Sequence, residues 1–279
     1  MNFGDPLNLF DILFKDGFPK SSPKLTPLSK LTGERSKIEN YITPYHDMCI
    51  VAKEENQKRK DHRFGKFFRH LSEDICEEEL MGELRFNHGI NNGTKYLDVM
   101  MESVPYDLVV VTQRPDGSDY VSFAGVHFPD AWNAESIIGR SFREIHQNVR
   151  RPNGMKVIPG PERLVTSMIN SPEPLERIGA VVFKQNCKLN HHKDRGFVTD
   201  FDFEREPGLF LRFERQVILP MPEINSFGFL IYTYFVDCTN DLYKDRVLQA
   251  LDNLNPGCFN YEKIVKNREK MRKFLKGES

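Results

Sequence analysis

The sequence predicts an α+β fold, an antiparallel sheet flanked by helices at its N- and C-terminal ends. A long hairpin carries the prediction. Leu209 to Leu219 and Phe227 to Phe235 are strand-like runs, joined by the turn-forming segment Pro220 to Ser226. A shorter pair supports it, with Tyr106 to Thr112 and Tyr120 to Phe128 on either side of the turn Pro115-Asp116-Gly117-Ser118. The third observation is the ending. Asp241 to Leu254 and Tyr261 to Leu275 have helical spacing and are separated by Asn255-Pro256-Gly257.

Within the long hairpin, alternation puts Leu209, Leu211, Phe213, Arg215, Val217 and Leu219 on one face. Phe210, Arg212, Glu214, Gln216 and Ile218 take the other. The apolar face therefore contains a permanent cation, Arg215. A guanidinium cannot shed its charge, so a closed face requires an anion or several acceptors beside it. Two readings follow: a neighbouring carboxylate pairs with Arg215 in a structural role, or the face opens on a pocket for an anionic ligand. Paired arginines on sheets are ordinary.

Residues 1 to 37 mix short apolar clusters with prolines and read as an arm, with Leu9, Phe10, Leu13 and Phe14 available to pack on the body. From Ile38 to about Arg85 the pattern is helical. Lys53 to Lys60 forms a solvated charged face, and Phe64, Phe67, Phe68 and Leu71 form an apolar stripe. Asn87 to Gly93 reads as a loop. Asp130 to Asn133 offers a cap for a short helix over Ala134 to Ile138 that ends at Gly139, and Ser141 to His146 makes another turn or two. Pro161 to Asn170 is helical, Ile178 to Phe183 is a strand, and Lys188 to Gly208 is polar and irregular. The expected division is an N-terminal arm and helical extension over 1–95 and a sheet domain with its C-terminal helices over 96–279. Two strands, short helices, a strand and a hairpin is the order of a PAS-like antiparallel sheet with a ligand pocket.

Composition narrows the function classes. A net charge of -1 over 279 residues gives no basic excess for nucleic acid. Five scattered cysteines without a CxxC pair argue against a disulfide framework or zinc cluster and for a reducing, cytoplasmic setting. Asp5, Asp11 and Lys15 interrupt the first apolar stretch, so no signal peptide is expected, and no run is long enough for a membrane span. The basic last helix, Lys263 to Lys276, suits its own dipole and a solvated face. There is no P-loop, dinucleotide fingerprint, G-x-S-x-G elbow or H-E-x-x-H. His191 and His192 lie in a polar loop, where adjacent histidines are ordinarily solvated, and the acidic run Asp200 to Glu206 reads as a solvated edge. His146 closes its short helix, where the dipole alone can hold a histidine.

Gly125 to Trp132 followed by Ile138-Gly139-Arg140-Ser141-Phe142-Arg143-Glu144-Ile145-His146 resembles the FPS-x-W … IGR … IH-x-PVP run of the heme-dependent oxidative N-demethylase family, whose fungal members are called HRQ proteins. Leu211 to Tyr234 is similar, without gaps, to the family's L-R-x-ERQ-TL-x-RLP … LFTIRTY hairpin, and Val182 to Cys187 resembles its W-R-x-NW strand. The chain departs from the pattern at Asn148-Val149-Arg150, Lys184, Cys187 and Tyr232. The resemblance implies a PAS fold binding heme b and oxidative removal of a methyl group from a small amine. The oxidant is O2, with electrons from a separate NADPH-dependent flavoprotein reductase. It also implies His146 as axial iron ligand, Arg215 at a heme propionate or on the substrate side, and Glu214 beside it in the catalytic or bracing part of the sheet. Arg150 stands within reach of a propionate or in a solvated turn. A binding or sensing protein without turnover, and a relative that has lost heme, remain open alternatives.

Overall fold

The computed structural model describes residues 14, 25–31, 69–71, 77–87, 106–126, 134–147, 161–186, 200–254, 256 and 261–278. Its centre is a seven-stranded sheet: β1 (Thr26–Pro27), β2 (Arg69–Leu71), β3 (Asp107–Gln113), β4 (Asp119–Gly125), β5 (Leu175–Lys184), β6 (Phe210–Met221) and β7 (Ser226–Asp237). Strand order is β1-β5-β6-β7-β3-β4-β2, and every pairing is antiparallel. Among the described residues five α-helices accompany it: α1 (Glu77–Gly82), α2 (Phe142–Gln147), α3 (Pro161–Ile169), α4 (Asp241–Asp252) and α5 (Tyr261–Lys276).

The expected hairpin is the spine of the sheet. β6 and β7 pair in unbroken register from Phe210↔Asp237 to Met221↔Ser226. Their connection tightens through a 3-10 turn at Pro222–Ile224 and closes at Asn225, which takes the left-handed conformation at φ 48°. Asn tolerates that region better than most residues because its short polar side chain bonds locally, and here Asn225 Nδ2 donates to the Gln113 carbonyl. In the β3–β4 turn Gly117 sits at φ 84°, while Asp116 accepts from the Ser118 N–H and hydroxyl.

A strand's two-residue period makes this sheet a partition. Leu211, Phe213, Val217 and Leu219 of β6 face one core, with Leu108 and Val110 of β3 and Leu230 and Tyr234 of β7. Tyr243, Val247 and Leu251 of α4 and Ile264, Met271 and Leu275 of α5 close that side. Ile218, Phe227, Val109 and Val111 face the second core, closed by Phe142 of α2 and Val165, Met168 and Ile169 of α3.

Several expectations change. Leu71 belongs to an edge strand paired with Phe123 of β4, and not to a helical stripe. Non-local ladder pairing overrides its helical spacing there; Phe64, Phe67 and Phe68 lie outside the described residues. β2 and α1, whose Leu80 and Met81 enter the first core, join the same sheet and core as residues beyond 96. Of the N-terminal arm, Phe14 and Leu28 pack on that core and β1 extends the sheet edge beside β5. The Lys53–Lys60 run, Asn87 to Gly93 beyond its first residue, Asp130 to Asn133, His191–Asp194 and Arg150 lie outside the described residues. The cations of α5 are largely matched: Lys270 and Lys266 approach Asp200 at 2.7 and 3.5 Å, and Arg272 pairs with Asp252. Exposed pairs of this kind contribute little stability, so the last helix reads as a solvated face.

Arg215 faces the first core and is fully buried. Its Nε donates to Glu176 Oε2 at 2.8 Å, with both side chains wholly shielded, and its guanidinium carbon lies 5.3 Å from the Tyr232 ring centre. The neighbouring carboxylate that one reading required is therefore present, one strand away on β5. Breaking one side of such a pair leaves an uncompensated buried charge. Glu176→Ala is expected to cost about 3–5 kcal/mol, and the double replacement of Glu176 and Arg215 by Met far less. Urea denaturation of both variants checks this.

Candidate functional site

The segment Ile138 to His146 is built to present one imidazole. Ile138 bridges to Val121 of β4, the Gly139 N–H donates to the Val121 carbonyl at 2.9 Å, and the Val121 N–H donates to Arg140 O at 2.9 Å. That docking requires φ 77° at Gly139, a conformation costly to any residue with a Cβ. Helix α2 then starts in a capping box. Glu144 Oε2 accepts the Ser141 N–H at 2.7 Å, and Ser141 Oγ accepts the Glu144 N–H at 3.3 Å. The Ser141 N–H and the Ser141 hydroxyl, which also donates to Glu144 Oε2 at 3.0 Å, hold the Glu144 carboxyl below the usual range, with Arg140 nearby. The Phe142 N–H donates to Asp119 on β4. The S-x-x-E spacing was readable in the sequence, although the motif there drew attention for its glycine and histidine.

One helical turn on, His146 lies over Phe142 with ring centres 4.3 Å apart. Its Nδ1 is 2.8 Å from the Phe142 carbonyl oxygen. A carbonyl can only accept, so Nδ1 carries the proton and Nε2 keeps its lone pair. Burial lowers the His146 pKa most, the Phe142 carbonyl opposes this, and the Arg177 guanidinium lowers it further. The result is a neutral, oriented imidazole with no second hydrogen bond among the described residues.

The sheet face beside it is polar in one strip. Arg177 of β5 donates through Nε to Gln216 Oε1. Gln216 Nε2 donates to Glu214 Oε2 at 2.7 Å, and Arg212 Nη2 donates to Glu214 Oε1 at 2.7 Å. Phe229 and Ile231, both half-buried, border the strip on β7, with Phe229 under the Arg177 guanidinium at 5.7 Å.

His146, Glu214 and Gln216 thus share one side of the sheet. Arg215, between Glu214 and Gln216 in sequence, points to the other side, and the structure does not bring it to His146. Sequence reasoning missed Arg177. The signal was parity: Glu176-Arg177 is an opposite-charge pair inside an apolar strand, so its members must face opposite cores. Tyr232, a departure from the family pattern, also faces the Arg215 side.

The site's chemistry is that of a single nitrogen donor. No three of His, Cys, Asp and Glu gather as a metal cluster among the described residues. One free imidazole with a fixed tautomer, next to apolar surface and a cation, suits a metal whose other ligands belong to an organic cofactor. The model of the family described as Haem-dependent oxidative N-demethylase, alpha subunit-like, matches residues 54–272. The chain belongs to this family. No curated protein matches the sequence. No helix among the described residues is long and apolar enough to cross a membrane.

Two outcomes follow. Ser141→Ala removes the cap and is expected to cost about 1 kcal/mol in thermal denaturation. The second concerns pH. A half-buried neutral histidine of this kind has a folded pKa below its unfolded one, so its contribution to stability is full above the unfolded value and is lost as pH falls through the folded one. The His146 ring should therefore stay neutral below about pH 6.5, where an ordinary histidine protonates. An NMR titration of the His146 ring against pH checks it, and protonation already near that value would contradict it.

Proposed function

We propose that the protein is a heme-dependent oxidoreductase that removes a methyl group oxidatively from a small amine, or performs a related oxidation. O2 is the oxidant, and a separate NADPH-dependent flavoprotein reductase supplies the electrons. Family membership supports the reaction class. The observation that carries the site is the Nδ1–H bond of His146 to the Phe142 carbonyl, which leaves Nε2 with its lone pair and with no hydrogen bond among the described residues.

The residues fit heme b as the group held. His146 would be its axial ligand, because iron takes a neutral imidazole and this one is kept neutral by burial and by Arg177. Heme supplies the activation of O2 when bound. The chain's own residues orient and shield: Phe142 fixes the ring plane of His146, while Ile138 and Ile145 pack with the second core alongside. Glu214 and Gln216, bonded to each other and to Arg212, form a rigid polar floor facing the same space. In this reading Arg215 acts through stability, by neutralising Glu176 across the sheet, and Arg150 and the substrate side of a PAS-like pocket complete the site. The setting proposed is the cytoplasm.

The test is spectroscopic. Purified protein supplied with hemin should show a Soret band that shifts on dithionite reduction and again with carbon monoxide. His146→Ala should abolish it. Turnover of methylated amines with NADPH and a reductase then follows. A protein that stays colourless with added hemin, or a His146→Ala variant with unchanged heme content, would overturn the proposal.

A further inference from the structure

Arg177 and Arg212 lie on the same strip of sheet but differ in how their charge is balanced. Arg212 is ion-paired with Glu214 at 2.7 Å. Arg177 has one hydrogen-bond partner among the described residues, the neutral amide of Gln216. Glu214 favours the charged form of Arg177 electrostatically, yet its two oxygens are engaged by Arg212 and Gln216. Burial of Arg177 works against its charge more strongly than Glu214 supports it. The strip Arg212–Glu214–Gln216–Arg177 therefore holds two cations and one anion, and the unmatched positive charge is on the residue that acts electrostatically on His146.

The amide of Gln216 is locked at both ends. Its NH2 donates to Glu214, so its carbonyl oxygen must face Arg177, where it takes the Nε–H. This leaves both terminal nitrogens of Arg177 without a hydrogen bond among the described residues, with the guanidinium plane held, for a bidentate acceptor. A planar fork is matched best by a carboxylate.

The structure assigns Arg177, braced by Gln216, as the receptor for a ligand carboxylate on the His146 side of the sheet. It deepens the heme reading, on which the identity of the carboxylate's owner rests. That owner is either a porphyrin, through a propionate, or a free small carboxylate on the same face.

Hemin and hemin dimethyl ester, which lacks the anionic groups, separate the sources. Wild-type protein and Arg177→Gln are titrated with each by Soret absorbance, with thermal melting of both proteins as the folding control. A porphyrin carboxylate at Arg177 predicts that wild type prefers hemin over the ester by about tenfold or more, and that Arg177→Gln erases the preference while ester affinity is kept. Arg177→Lys, which keeps charge but loses the fork, should fall between. A second arm needs no variant and no heme: sodium propionate is titrated into 15N-labelled wild type while the Arg177 Nε–H resonance is followed. A saturable shift there, without ester discrimination, assigns the site to a free carboxylate. Equal loss of hemin and ester affinity in Arg177→Gln would mark a purely structural arginine and overturn the proposal. So would no preference combined with an unmoved Nε–H resonance. Failure of hemin uptake by wild type defeats the heme reading alone, and the propionate arm then decides for Arg177.

Discussion

The period of two along β6 is the constraint on which everything else depends. Because β6 is central, pairs with β5 and β7 along its length, and is covered on both faces, consecutive residues in it serve different compartments. Glu214, Arg215 and Gln216 are three adjacent polar residues with two separate tasks. Arg215 neutralises Glu176 inside the core beneath α4 and α5, while Glu214 and Gln216 join the hydrogen-bonded strip on the opposite face. A one-residue slip of register would bury Glu214 among leucines and phenylalanines and expose Arg215 to the site. The buried Arg215–Glu176 pair also works against such a slip, since breaking it would leave a charge inside an apolar layer.

The histidine is placed by a different device, local and made of backbone. Gly139 docks the segment on β4, the Ser141–Glu144 box starts the helix, and the Phe142 carbonyl sets the tautomer one turn later. The spacing of Gly139, Ser141, Glu144 and His146 within eight residues is thus a single mechanical unit. Its product is an imidazole whose Nε2 has no hydrogen bond among the described residues. The sheet strip and this unit come from distant parts of the chain and meet because α2 packs through Phe142 on Phe227 of β7, with ring centres 6.0 Å apart.

Much of this was legible in the sequence. Alternation located β3 to β7 closely, and helical spacing with breakers located α2 to α5, because these elements are long or strongly capped. The edge strands β1 and β2 were not, since two- and three-residue strands carry no period of their own and form only on the ladder beside them. The need for an anion near Arg215 was readable, and so was its structural alternative. The partner was not, because Glu176 is 39 residues away and register across strands is set by tertiary packing. The same ignorance of register hid Arg177, whose importance comes from what faces it across β6. His146 was singled out by resemblance, and its tautomer follows only from geometry.

The central claim is that the cofactor side of the sheet is the His146 side. Methyl-labelled protein titrated with ferric hemin tests it directly through paramagnetic broadening. The methyl resonances of Ile138, Ile145 and Ile231 should broaden, while those of Val217, Leu219 and Leu230, across the sheet beside Arg215, should stay sharp. Broadening of the second set with the first unaffected would place the ligand on the wrong face and contradict the account.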